Sequence, residues 1–439
     1  MSLKLNLIKQ RLIEIVKFDF NYLKLPLVIL ASFVFLGLLL ANKKLKAYNL
    51  ISAIYRTGWK GSFTLGVLVS RYFFTSSLRR SDLVAQAKHS IPILDNTRQF
   101  VEDPAYMLDG VVTVLKSATE TEKGVIIINY SYYFLLFHKC FDIQEVADKY
   151  IVILEPSWAG FCELNILAYT DIQDPVYIMC YEERDLDFIN KMKSNLIPLN
   201  VGPSWFVNYQ NFKPKEVNRD IDIIMVAAWA GFKRHAAFFK AISRLKQLGF
   251  TPNIALVGYP VDMTKDEVLA FAEHYGVADW LIVYESVTHP QVCDLLNRSK
   301  VHVLWSKFEG NNRAIIEAMF CNTTVIMRKG HNYGEHYDFI NEQTGCFADE
   351  SDLAEHVLTI VRDYESYQPR QYVMNNRSCV LATKIMNEFI AENEVKQGRT
   401  WTQDMTVKVN ELEQMDYLDL SVREQFKRDY ESLLSSLKS

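Results

Sequence analysis

From about residue 120 onward, short apolar runs alternate with amphipathic stretches, and this alternation occurs twice. The first series of runs falls at 125–129, 150–154, 176–180 and 196–199. A pause follows, holding Lys213-Pro214-Lys215 and a polar stretch to Asp220. The second series falls at 221–227, 253–257, 281–283, 301–304 and 324–327. Apolar runs of this length bounded by turn signals read as strands buried on both faces, as a parallel sheet requires. The stretches 236–248, 265–275 and 291–298 read as the helices that cover such a sheet. The fold class expected is therefore α/β, with two Rossmann-like domains facing each other across a cleft.

Composition narrows the function. The chain of 439 residues is 49% hydrophobic and 23% charged, which excludes a disordered chain, a collagen-like repeat and a polytopic membrane protein. Its 48 Lys and Arg against 52 Asp and Glu give a net charge of −4, so no global field draws nucleic acid. An anionic ligand must be held by a local device. The seven cysteines, at 140, 162, 180, 293, 321, 346 and 379, include no CxxC pair, which argues against a zinc site and a disulfide framework. Cys180 and Cys293 read as small core residues in a protein kept reduced. The sequons at Asn129, Asn297, Asn322 and Asn376 read as chance matches.

The amino terminus poses a membrane question. Residues 25–41 carry no charge, between Lys24 on one side and Lys43, Lys44 and Lys46 on the other. Seventeen apolar residues sit at the lower limit for a span of about 17–25, and Tyr22 and Leu23 lengthen the run. Lys4, Lys9, Arg11 and Lys17, set among Leu and Ile, suit an anionic lipid surface. The expectation is membrane association, single-pass or monotopic, with the catalytic domains in the cytosol. A buried helix of the first domain is the alternative. Lys and Arg number five in 1–24 and five in 42–60, so the positive-inside rule gives a tie and only the free cysteines favour the cytosol. The resulting organisation is a membrane-anchor segment at 1–50, a first Rossmann-like domain at 51–202, a linker at 203–219, a second Rossmann-like domain at 220–377 and a helical, polar tail at 378–439. Arg79-Arg80-Ser81-Asp82 marks a turn into a helix at 83–89.

The chemistry concentrates in VHVLWSKFEGNNRAIIEAMFCNTTVIM, residues 301–327. An apolar strand runs out at Trp305 into the polar loop Ser306-Lys307-Phe308-Glu309-Gly310-Asn311-Asn312, and a helix follows from Arg313 to Phe320. A helix opening at the carboxyl edge of a sheet presents free N–H groups and the positive end of its dipole, which together make an anion site. Gly310 permits close backbone approach. Glu309 and Glu317 are carboxylates suited to vicinal hydroxyl pairs on a sugar and a ribose.

The string S-x-x-E-G-x6-E-A-M-x-C-x-T-x-V, from Ser306 to Val325, resembles the carboxyl-terminal signature of family 4 glycosyltransferases of the GT-B fold. Ile197-Pro198-Leu199-Asn200-Val201-Gly202 resembles that family's domain junction, and Ile254-Ala255-Leu256-Val257-Gly258 its L-x-I-V-G strand end. The matches cover about 196–360. The resemblance implies that Glu309 binds the transferred sugar, that Glu317 binds the nucleotide ribose, and that the amides of Asn311, Asn312 and Arg313 hold the diphosphate or sugar, with Ser306 and Gly310 also binding the donor. It also implies a Lys, often with an Arg, after the second domain's first strand, neutralising the diphosphate without a metal or other cofactor. Lys233 fits the lysine position. Ala228 stands where the arginine is usual, leaving Arg234 or Arg313 to supply the second positive charge. Cations and a helix tip can then offset charge on a departing nucleoside diphosphate. The partners implied are a nucleotide-sugar donor and a glycan or lipid-linked acceptor, with retention of configuration and no enzyme nucleophile.

Glu155 is an acceptor-side candidate because it follows a strand end that faces the cleft, and His138 is one because the resemblance implies a histidine near the acceptor in the first domain. His138 also reads as an ordinary core histidine. Asp185-Leu186-Asp187 and Asp220-Ile221-Asp222 match the metal-binding D-x-D of another glycosyltransferase fold, but the second opens a buried strand, and no metal is expected. Two other functions fit the sequence: a catalytically silent scaffold subunit, favoured by Ala228 and the polar tail, and a GT-B epimerase acting on a nucleotide sugar.

Overall fold

The computed structural model describes residues 21–92, 97–330, 337–411 and 415–438, with Leu5, Ile8, Lys9, Leu12 and Val16 upstream. Of the basic residues in the leading segment, Lys4, Arg11 and Lys17 lie outside the described residues. The chain from Asn21 divides into two units. One comprises Asn21–Phe206 with Cys379–Ser439, and the other comprises Val207–Ser378.

In the first unit the long helices ahead of the sheet, among the described residues, are α1 (Asn21–Leu40), α2 (Lys44–Arg56), α3 (Ser62–Phe74) and α4 (Ser77–His89). On α2, Ala47, Tyr48, Ile51 and Tyr55 are buried at a spacing of about one turn, the mark of a core-facing stripe. They join Phe73 of α3 and Leu83 of α4 in the core of the sheet. The core of the first unit therefore takes in α2 along with the elements after it. The helix expected at 83–89 starts at Ser77, where the Ser76 hydroxyl caps the Arg79 amide, so 79–82 lie inside it.

The sheet holds β1 (Val112–Lys116), β2 (Gly124–Asn129), β3 (Tyr150–Glu155), β4 (Val176–Met179) and β5 (Leu196–Leu199) in that spatial order. β1 is antiparallel to β2, and the other pairs are parallel. The helix α5 (Ser131–Cys140) follows β2. β1 falls before the region where the alternation is legible.

The second unit is a parallel sheet of six strands. In chain order its elements are β6 (Ile221–Val226), α6 (His235–Ile242), β7 (Ile254–Gly258), α7 (Lys265–His274), β8 (Leu281–Glu285), α8 (His289–Asn297), β9 (Ser299–Leu304), α9 (Arg313–Phe320), β10 (Thr324–Arg328), β11 (Gly345–Ala348) and α10 (Leu353–Asp363). The spatial order is β11-β10-β9-β6-β7-β8. Strand order thus runs one way from β6 to β8 and the other way from β9 to β11. The reversal between β6 and β9 is a topological switch point, where open α/β sheets bind ligands beyond their carboxyl ends.

The stretch 203–219 is not a free linker. Residues Pro203–Phe206 form a 3-10 turn of the first unit. In the second unit, the Lys215 amide donates to Asn297 Oδ1 at 2.7 Å, and Arg219 donates to the Cys321 and Asn322 carbonyls at 3.1 and 3.0 Å. The tail comprises α11 (Cys379–Lys396), β12 (Lys408–Asn410), β13 (Met415–Tyr417) and α12 (Lys427–Ser435), and it packs on the first unit. Tyr417 donates to the Val114 carbonyl at 2.7 Å, and Tyr150 donates to Asp429 at 3.0 Å.

The candidate donor site

The switch point sets two loops side by side. After β6, Ala227 to Arg234 turns into α6; after β9, Trp305 to Asn312 turns into α9. The Lys307 amide donates to the Phe232 carbonyl at 3.0 Å and joins the two loops. Across that junction the Lys233 ammonium forms a buried ion pair with the Glu309 carboxylate, their side chains 11% and 9% exposed. Asn312 Nδ2 donates to the other Glu309 oxygen at 3.0 Å, while its Oδ1 caps the Ile315 amide at 3.2 Å. One asparagine thus fixes both the carboxylate and the helix tip. Burial alone would raise the Glu309 pKa, but the Lys233 charge, with the Ser306 and Asn312 side chains, holds it below the ordinary value. Glu309 is therefore an anion at neutral pH, held as an acceptor for hydroxyl groups.

Arg234 sits at φ 58°, an uncommon conformation for a non-glycine residue, at the start of α6. Its guanidinium is buried and donates to Glu350 at 2.8 Å, and Arg328 grips the same carboxylate at 3.0 and 3.3 Å. Arg313 donates to Glu317 one turn along α9 at 2.6 Å, with Glu317 buried. Four cations (Lys233, Arg234, Arg313 and Arg328) thus meet three carboxylates (Glu309, Glu317 and Glu350), which leaves a net positive charge beside the α9 tip. Ser306 is buried and Gly310, Asn311 and Asn312 are half-buried. Arg313 also depresses His289 to about 4, an effect second to burial, so the β8–α8 loop lies near the same helix tip.

The sequence reading missed part of this site. Arg328 and Glu350 were absent from it because each falls at the end of a short strand with no motif around it. Lys307 falls in the polar loop of the motif, yet it is buried. His235 and His302 are fully enclosed, and burial, then the Lys233 charge, lowers each to about 3. Both stay neutral in the folded protein. Their sign of interest would have been a histidine inside an apolar strand and one directly after Lys233-Arg234.

Residues 208–377 match the family model described as "Glycosyl transferases group 1". The match covers nearly the whole of the second unit. No curated protein matches the chain. Among solved structures, a TarM variant of S. aureus, in complex with Fondaparinux, alpha-GlcNAc-glycerol and UDP, is 13% identical over 59% of this chain and 57% of its own, at a TM-score of 0.44. Sucrose-phosphate synthase of Thermosynechococcus elongatus is 15% identical over 62% and 74%, at 0.46. The lipopolysaccharide outer core galactosyltransferase WaaB is 15% identical over 72% and 81%, at 0.43. The chain thus spans little more than half of the first of these proteins. At TM-scores of this size the assignment stands on the family match, and the second unit is the part of the chain that carries it.

The acceptor-side candidates are engaged within the first unit. Glu155, at the end of β3, is buried against Lys408 of the tail at 2.5 Å and also accepts from Asn410. Lys408 in turn donates to Asn129 at 3.0 Å. Glu155 thus clasps the tail to the end of β3. His138 is 2% exposed, with Nε2 2.9 Å from Asp171 and the ring edge-on to Tyr169. His138 is thus placed in the core of the first unit. In the D-x-D matches, Asp185 accepts from the Gly160 and Phe161 amides and Tyr55, while Asp220 pairs with Arg298 and Asp222 with Lys300. Among the described residues no cluster of three or more His, Cys, Asp or Glu could hold a metal ion.

Proposed function

We propose that the protein is a retaining, family 4 type glycosyltransferase that moves a sugar from a nucleotide-sugar donor to a hydroxyl acceptor without a metal. The observation that carries this reading is the buried Lys233–Glu309 pair beside the α9 tip, at the switch point of the unit that matches the group 1 family. Lys233 and the tip amides face the diphosphate, Glu309 binds the transferred sugar, and Glu317 takes the ribose. Arg328, tied to Arg234 through Glu350, adds to the positive field in the place left by Ala228. UDP in the TarM complex is in keeping with a nucleoside diphosphate as leaving group.

Membrane attachment belongs to the same proposal. Tyr22–Leu40 has a mean hydropathy of 2.4 with 17% of its most apolar window buried. Val28, Ala31 and Phe35 form its buried stripe, while Phe33, Leu36 and Leu40 are exposed. A stripe packed on protein favours a helix lying in the membrane surface over one surrounded by lipid.

The test is thermal stabilisation by a panel of nucleotide sugars, followed by assay of nucleoside diphosphate release. One donor raises the unfolding midpoint by mass action and is slowly hydrolysed, and Glu309→Gln abolishes turnover while the fold is kept. Full activity in that variant refutes the site. A second reading, the silent scaffold, is favoured by one observation: Arg234 and Arg313 are both already paired with carboxylates. Donor binding with no product from any acceptor or water would select it.

A further inference from the structure

A cavity of about 290 Å³ lies within the first unit, among α2, the end of α4, α5 and the loop after β3. Its size is near the lower end of ligand pockets, roughly 300–1,000 Å³, and suits a single sugar ring. The polar wall includes Asn49 and Ser52 of α2, Thr97, Tyr132 of α5, Glu163 and Asn165. The remaining wall is mostly aliphatic, and none of the described wall residues is Lys, Arg or His. Tyr132 and Glu163 belong to segments that follow the carboxyl ends of β2 and β3, the edge at which parallel sheets take ligands.

Glu163 is held in place with unusual care. Trp158 Nε1 bridges both its carboxylate oxygens at 3.1 and 3.3 Å, and the Trp158 ring packs edge-on to Tyr132 at 4.7 Å. Arg56 covers the other part of Trp158, 5.2 Å from the ring centroid. Gly160, at φ +104°, makes room for it, since a Cβ there would sit 2.5 Å from the Arg56 Cγ. Burial pushes the Glu163 carboxyl up to about 7, against the opposing pull of Arg56 and Trp158 and with the help of Asp185. The carboxyl group is thus poised to accept or donate a hydrogen bond, and its Trp158 contact leaves acceptor capacity on both oxygens.

We propose that this cavity binds a neutral, polyhydroxylated ligand, a saccharide unit, with Glu163 and the flanking amides of Asn49 and Asn165 gripping its hydroxyls and the aliphatic wall and Tyr132 covering its C–H face. A wall without a cation disfavours phosphate and nucleotide. The assignment of this saccharide as the acceptor rests on the glycosyl-transfer reading above; its binding does not.

The experiment uses the full chain in a detergent without a sugar headgroup. Saturation-transfer NMR is recorded with methyl glycosides of glucose, galactose, mannose, rhamnose and N-acetylglucosamine, alongside Trp fluorescence. At least one glycoside receives saturation and shifts the tryptophan emission. At about pH 8, where the Glu163 carboxyl is ionised, Glu163→Gln weakens it about tenfold or more, on the strength of a hydrogen bond to a charged group. Ser52→Trp, which fills the cavity, removes it. Both variants are checked for a retained cooperative thermal transition, and Asn165→Ala replaces Ser52→Trp if the latter does not fold. Binding of no glycoside, binding that survives in all variants, or binding of methylammonium in place of a glycoside overturns the proposal. UDP and GDP titrations run in parallel: their failure with glycoside binding intact sinks the donor site and leaves the cavity standing.

Discussion

Replacing Lys233 with Met tests whether the ion pair at the switch point is as enclosed as the structure shows. The Lys233 and Glu309 side chains are 11% and 9% exposed, and burial opposes the Glu309 charge that Lys233 sustains. Without the ammonium, Glu309 retains only neutral partners such as the Asn312 amide at 3.0 Å. Breaking a buried pair from one side costs about 3–5 kcal/mol, because the remaining charge is left uncompensated. For a domain of this size that is roughly a 10 °C fall in melting temperature. The sign with pH follows from the two titrations. In the native protein the folded Glu309 pKa lies below its unfolded value of 4.5, so the pair's contribution is present above that pH and is lost on acidification. In Lys233→Met the folded pKa moves above 4.5, so the deficit grows as pH rises and shrinks where Glu309 can protonate. Adding Glu309→Gln removes the stranded charge and recovers most of the loss. Scanning calorimetry at about pH 5 and about pH 8 on the native chain, both single variants and the double variant reads all of this, provided the two units are resolved as separate transitions. A Lys233→Met protein within about 0.5 kcal/mol of native at the higher pH, the range of ordinary surface substitutions, would refute the buried pair.

Four further outcomes follow from other parts of the molecule. The folded Glu163 carboxyl titrates near 7 against 4.5 when free, so the folded protein keeps a proton that the unfolded chain loses; stability falls as pH rises between those values, by at most about 3 kcal/mol, and Glu163→Gln flattens that slope in pH-dependent unfolding. Lys408→Met strands the Glu155 carboxylate and loosens the tail, costing about 3–5 kcal/mol in the first unit, seen as faster hydrogen exchange in β12 and β3. Gly258→Ala places a Cβ 2.4 Å from the Ala227 carbonyl and 2.6 Å from Trp229 Nε1, which displaces the loop that carries Lys233; nucleotide affinity drops while the first unit's melting transition is unchanged. Phe33→Asp on the exposed face of α1 reduces cosedimentation with anionic liposomes without altering stability, and undiminished binding would remove α1 from the membrane proposal.

The strongest sequence signals were those that are local. The second series of strands, the helix at 313–320 and the carboxylate spacing at Glu309 and Glu317 are all set by neighbours within a few residues, and periodicity reports such neighbours directly. The strand ends shifted by only a residue or two. Where the reading failed, the deciding contacts are distant in sequence. β1 is a strand because it pairs with β2, and α2 to α4 look like indifferent helices until their apolar stripes meet α5 and the sheet. Glu155 stood at a strand end that should face ligand, but a lysine more than two hundred residues later takes its charge.

The sequence by itself determined two α/β units and the residue types of an anion-binding helix tip, because buried strands and helix starts require particular patterns along the chain. Tertiary structure decided which charges meet. Strand order alone sets the β6 and β9 loops side by side, so Lys233 reaches Glu309 across 76 residues of chain, and Arg234 and Arg328 converge on Glu350. It also decided that the tail clasps the first unit and that Glu163 lines a cavity. The physical reason is that burial and electrostatics act through space: a side chain's energy depends on what encloses it, and that is known only once the chain has closed on itself.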